Sequence, residues 1–214
     1  MRMIEQITQV VATKLLQLKQ QRKPVEAMAL VGELYKKLSM PNTDTMRKLS
    51  ASHIADMTTV NGEVQTDKLA AVADLMKEQA AVCELMEDEE GSWSCSVKAL
   101  QLRLLLFELE PAKIPSAAAD EWLRSFPLGS LPEEVSLQAI RYYEATGQYS
   151  RAEDLLFIML EEDLGSRHNI VQAGIHLYER LLDQDDEKLA AGKLPRAEVV
   201  QSLQQLKKAF ASHG

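Results

Sequence analysis

Apolar residues recur at every third or fourth position along nearly all of this 214-residue chain. Val, Ile, Thr and aromatic residues nowhere cluster with period two. The first spacing lays a stripe along one side of a helix, and the missing second spacing leaves no half-buried strand. Residue types agree: Leu, Ala, Glu, Lys and Gln dominate, all strong helix formers, and only 9 Gly and 7 Pro interrupt them. The expected fold class is all-α. A chain of this length supports a substantial core, and the expectation is a single all-helical domain over 1–214 with possible subdomain boundaries near 58–66 and 111–131.

Charge removes one class of function. With 32 acidic against 24 basic residues the chain carries a net charge of -8. That repels a phosphate backbone, and no Lys/Arg stripe with interleaved aromatics offsets it, so nucleic acid is not expected as a ligand. The longest apolar run, Leu155 to Leu160, falls far short of a membrane span. The opening stretch "MRMIEQITQVVATKLL" is amphipathic, with Ile4, Ile7, Val11, Leu15 and Leu18 on one stripe, rather than the continuous apolar centre of a signal peptide. Together with only two cysteines, this leads to the expectation of a cytoplasmic protein.

The punctuation along the chain predicts a succession of helices. The first runs from about Ile4 to Gln20 and ends at "QQRKP", where Pro24 suits the first turn of the next. That second helix carries Val25, Met28, Ala29, Leu30, Leu34 and Leu38. "SMPNTDT" turns the chain, with Thr43 or Asp44 as cap, and a short helix is expected over 45–57. Asn61-Gly62 marks a tight turn. A long helix follows over about 66–85, then another from Ser92 to Glu110 that is apolar on more than one face and is therefore expected to be central. Ser116 opens a short helix to about Ser125, with Trp122 and Leu123 turned inward.

The most distinctive stretch is "YYEATGQYSRAEDLL", residues 142–156. Gly147 ends one helix in a left-handed cap, Tyr143 and Tyr149 bracket the elbow, and Ala152 lets the second helix approach closely. This arrangement resembles a tetratricopeptide repeat unit, whose hallmark is Gly-x-aromatic-x-x-Ala with a large residue four positions before the Gly. Shifting Ser136, Ala139, Ile140 and Tyr143 by the repeat length of about 34 residues gives Ile170, Ala173, Gly174 and Leu177. The next elbow, due near Leu181, is replaced by "LLDQDDEKLAAGKLP", either an insertion or a lengthened first helix. The resemblance implies irregular tetratricopeptide-like antiparallel hairpins stacked into a right-handed superhelical bundle, best developed over 131–212. The whole-chain layout also resembles an uncharacterised bacterial family of such hairpin proteins.

Candidate chemistry is sparse. No two of His53, His168, His176 and His213 are four apart; His176 and Glu179 share a helix face but supply at most two metal ligands. The acidic runs "EDEE" and "DQDDE" sit at expected helix ends or loops, where charge is solvated, and the second lacks the glycine and terminal glutamate of a calcium loop. Cys83 and Cys95 lie nearly equidistant from the turn at Glu89 and are expected as buried reduced thiols. No phosphate loop or nucleophile elbow occurs, so no catalysis, metal or cofactor is expected. The resemblance implies a groove lined by the first helices of the hairpins, with Glu134, Gln138 and Arg141 from one and His168, Gln172 and Ile175 from the next. The expected function is a protein–protein interaction module binding a peptide or partner helix. Homodimerisation through the amphipathic N-terminal helix beside Val10 and Val11 is a further expectation. The alternative is a small-molecule sensor or enzyme with a pocket around Trp93, Trp122 and Tyr143.

Overall fold

The computed structural model describes residues 4, 7, 9–111, 116–127 and 129–211; His213 and parts of the expected first helix lie outside them. It is helical nearly throughout, in agreement with an all-α fold class, and divides into two compact units, Met1–Pro115 and Ser116–Gly214. Among the described residues no helix is long and apolar enough to cross a membrane.

In the first unit a π-helical turn, Val11–Leu15, runs into α1 (Leu16–Gln20). Arg22 at φ 53° turns the chain, and Pro24 opens α2 (Pro24–Lys37) at a position where the missing N–H costs nothing. The apolar face of α2 is rotated from the expected one: Ala27, Leu30, Val31, Leu34 and Tyr35 are buried, whereas Val25 and Ala29 face solvent. The cap of the next helix is Asn42, whose side chain accepts from Thr45 N–H at 2.9 Å, and not Thr43 or Asp44. What the sequence suggested as one helix over 45–57 is two, α3 (Thr43–Lys48) and α4 (Ala51–Asp56), because Ser50 interrupts to cap the second through His53 N–H. The Asn61-Gly62 turn joins two short strands, β1 (Thr59–Val60) and β2 (Glu63–Val64), an element the periodicity gave no sign of. Both turn residues take positive φ, 53° and 82°, as a two-residue hairpin turn requires.

The core of this unit is the antiparallel pair α5 (Thr66–Leu85) and α6 (Glu89–Leu109). Asp88 caps α6 by accepting from Gly91 N–H, so the helix starts three residues before the expected Ser92. Leu100, Leu102, Leu104 and Leu106 are all buried, and α2, α3 and α4 pack against the pair. Each such leucine contributes about 1.5–3 kcal/mol of burial, which makes the α5–α6 pair the dominant stabilising element of the unit. Leu109, by contrast, ends in solvent.

The second unit comprises α7 (Ser116–Ser125), α8 (Glu133–Ala145), α9 (Tyr149–Glu161), α10 (Arg167–Leu182), α11 (Asp186–Ala191) and α12 (Arg196–Ala211). α8 packs on α9, α9 on α10, and α10 on α12. Ser136, Ala139, Ile140 and Tyr143 are buried, as are their 34-residue counterparts Ile170, Gly174 and Leu177, while Ala173 is half-buried. Gly174 is where α10 comes closest to its neighbours: a Cβ there would stand 2.7 Å from both Leu156 Cδ2 and Leu206 Cδ1. Leu123 of α7 is buried as expected, but Trp122 is only partly covered.

Candidate functional site: a cleft beside the hairpin elbow

The elbow between α8 and α9 is closed by backbone chemistry. Gly147 at φ 72° donates its N–H to Glu144 O, and Gln148 N–H donates to Tyr143 O, the paired bonds of a Schellman cap. Side chains then fix the elbow from one side. Asp120 Oδ1 on α7 accepts from Tyr142 Oη and from Gln148 Nε2, each at 2.9 Å. Gln148 Oε1 in turn accepts from Arg151, whose guanidinium lies 5.9 Å from the centre of the Tyr143 ring. Burial, and then the bond to Asp120, raises the Tyr142 phenol well above its ordinary range, so Tyr142 remains a proton donor at any physiological pH.

The other side of the elbow is covered by the segment that follows α10. After α10, Asp185 caps α11 by accepting from Lys188 N–H at 2.7 Å. Arg196 clasps the loop by donating to Leu182 O, Gln184 O and Asp186 Oδ1. Gly192 then seats on the elbow: its carbonyl accepts from Ser150 N–H at 3.0 Å, and a Cβ at that position would stand 2.3 Å from Tyr149 Cδ2 and 2.7 Å from Gly147 O. Only a glycine permits this approach. α11 therefore stands as a wall beside the elbow and leaves an open cleft of about 840 Å³.

Arg141, Glu144 and Ala145 of α8, the elbow, Arg180 and Leu181 of α10, and Lys188 and Ala191 of α11 line this cleft. Across it Arg180 donates Nε to Glu144 Oε1 and Nη2 to Glu144 Oε2, each at 2.7 Å, a two-point pairing of planar groups. Glu144 raises the Arg180 pKa further still. The pair is half in solvent, so it stabilises by about 1 kcal/mol or less; its larger effect is to set the register of α8 on α10. At the other end of the same two helices Glu133 accepts from Asn169 Nδ2 and from Ser166 N–H. Glu133 with Asn169 and Glu144 with Arg180 are both 36 residues apart, so α8 and α10 run parallel, side by side, in one register.

Of the expected groove residues only Arg141 reaches the cleft. Glu134, His168 and Gln172 are exposed on α8 and α10 outside its lining, and Gln138 is half-buried with its Oε1 enclosed and unbonded. The missed residues are Glu144, Arg180 and Lys188. Applying the repeat shift to charged positions rather than apolar ones comes within two residues of the first two; Lys188 belongs to the interruption, for which the pattern offers no register. The expected pocket around Trp93, Trp122 and Tyr143 does not assemble within either unit, since Trp93 belongs to the first and the other two to the second.

The other chemically capable residues have structural partners. His176 lies on α10 beside Glu179, whose carboxylate accepts from Lys207 of α12 at 2.8 Å, and no group of three or more His, Cys, Asp or Glu residues is placed to hold a metal ion among the described residues. Cys83 and Cys95 are buried free thiols; burial is the main reason that both are raised, Cys95 to about 12. Buried Glu153 accepts from Tyr178 Oη at 2.6 Å and Ser202 Oγ at 3.0 Å, tying α9 to α10 and α12.

The chain belongs to a family of unknown function (DUF6483), which matches it over residues 1–211. No curated protein and no solved structure matches it.

Proposed function

We propose that this member of the family is a non-catalytic protein–protein interaction module that holds a peptide or partner helix in the cleft of its second unit. The observation that carries the reading is the cleft itself. It is an open cleft walled by three helices, and its lining mixes apolar surface at Ala145 and Ala191 with charged groups at Arg141, Arg180 and Lys188. Apolar anchors with a few fixed charges are what a groove needs to hold an extended or helical segment.

On this reading the second unit is built of tetratricopeptide-like hairpins, α8 with α9 and α10 with α12, and α11 is an insertion that turns the elbow into a binding site. Three features support it: the Schellman elbow at Gly147, the close approach at Ala152, and the parallel register of α8 on α10. Stacked hairpins of this kind bury one face and leave another for a partner.

Selection from a displayed random-peptide library tests the reading. Peptides enriched by the wild type should bind Arg141→Glu at least about tenfold more weakly, and bind Gln172→Glu, whose substitution lies outside the cleft, unchanged. Enriched peptides that ignore Arg141→Glu, or that respond equally to Gln172→Glu, place the binding surface elsewhere.

A further inference from the structure

The first unit carries two apolar tips of opposite charge. One is the turn between α5 and α6. Asp74 and Arg103 pair across these antiparallel helices. Eleven residues up α5 from that pair (74 to 85) and ten back along α6 (103 to 93), Leu85 comes opposite Trp93. Leu85, Met86 and Trp93 are 40%, 46% and 40% exposed. Around them stand Glu84, Glu87, Glu89 and Glu90, all in solvent, while the turn's fifth carboxylate, Asp88, is held by Arg47. Lys98, on the same end of α6, donates to Arg47 O.

The other tip is the elbow between α1 and α2. Leu16 and Val25 are 47% and 72% exposed there. Arg22 and Lys23 are exposed at the turn between them; Lys23 has Glu26 at 3.4 Å, and Lys19 is tied to Glu78.

Single exposed apolar side chains are ordinary, but each of these clusters comes with one dominant sign of charge. An apolar centre inside a charged rim is the anatomy of an interface. Four like charges within seven residues also repel one another, and a cationic surface set against them relieves that repulsion. The chain's net charge of -8 disfavours a second copy in most orientations and favours one that sets a basic patch against an acidic one.

We propose that the acidic tip of one copy docks on the basic elbow of a second copy, with Leu85, Met86 and Trp93 set against Leu16 and Val25 inside the ring of opposite charges. Where the reciprocal contact forms within the same pair the interface is isologous and closes into a dimer; otherwise it is heterologous and grows with concentration. It uses only the first unit and stands apart from the cleft reading.

Light scattering and sedimentation of the full chain test this. At low salt the mass should rise with concentration above the 24.0 kDa of a single chain, and added salt should return it toward that value. Glu84→Lys, Glu87→Lys and Glu90→Lys together reverse the tip, and Arg22→Glu with Lys23→Glu reverses the elbow. Each variant alone should self-associate at least about tenfold more weakly. An equimolar mixture of the two should associate again, because the reversed tip of one meets the reversed elbow of the other. That restoration separates docking from misfolding, which mixing does not repair. A chain that stays single at every concentration overturns the proposal, as does association indifferent to both reversals or not restored by mixing. A wild type that stays single yet binds a Lys-rich amphipathic peptide through Leu85 and Trp93 also overturns it, and assigns the tip to a different protein.

Discussion

At Gly192 the constraint is one atom wide. Its φ of -77° suits any residue, so backbone strain is not the reason for glycine; the reason is Tyr149 Cδ2 and Gly147 O at 2.3 Å and 2.7 Å from where a Cβ would be. The carbonyl is part of the elbow and cannot swing aside. Gly192→Ala should therefore destabilise the protein by about 1–3 kcal/mol, read as a drop in the urea midpoint without change of slope; an unchanged midpoint would mean that α11 does not seat on the elbow. Cys83 and Cys95 give a second test at the same scale. Burial holds both thiols protonated in the fold, whereas in the unfolded chain they ionise near pH 8.5. Stability is therefore indifferent to them below that pH and falls as pH rises above it, since the unfolded state alone gives up the protons. A thiol reagent at neutral pH should label neither cysteine quickly in the native protein and both once it is denatured. Rapid native labelling of either would contradict its burial.

Among the elements, α11 is the one that walls the cleft beside the elbow. Its cap, Asp185, is held below the usual carboxylate range first by the Lys188 N–H it accepts. A depressed folded pKa contributes stability that is present above the unfolded value, about pH 4, and is lost as pH falls through the folded one. Asn caps as well as Asp but does not titrate, so Asp185→Asn should lose less melting temperature than the wild type between about pH 5 and pH 2.5. Equal losses would show that the cap does not hold α11 in solution. The hairpin next to it makes a stronger demand: Ala152 is fully buried where α9 meets its neighbours, and Ala152→Leu should cost about 1–3 kcal/mol through overpacking. A thermal melt that does not move would sink the hairpin assignment. The elbow was legible in the sequence because Gly147, Tyr149 and Ala152 act locally, each through its own backbone or size. α11 was not, because its position depends on Gly192 and Arg196 meeting groups many residues away. The split between α3 and α4 escaped for a different reason: Ser50 acts through a single capping bond that leaves the apolar spacing undisturbed.

For the molecule as a whole, periodicity carried the fold class and charge pattern carried little of the site. Helical spacing states which side of a helix is covered, and that was enough to identify α6 as central. It does not state which helix does the covering, so the pairing of α8 with α10 rests on contacts between residues far apart in the chain. The expected groove meets the same limit. Glu134, Gln138, His168 and Gln172 were taken from one face of two helices, while the concavity lies at their C-terminal ends, where α11 folds back. The two strands, at two residues each, are too short for alternation to register. They are also too short to colour a spectrum. Far-ultraviolet circular dichroism of the full chain should therefore show the paired minima of α-helix with no separate strand component. Because each unit has its own buried core, that helical signal should disappear cooperatively on heating rather than fade gradually. A spectrum with substantial strand content would overturn the fold class, and a gradual loss would mean that the side chains described as buried do not hold the helices in place.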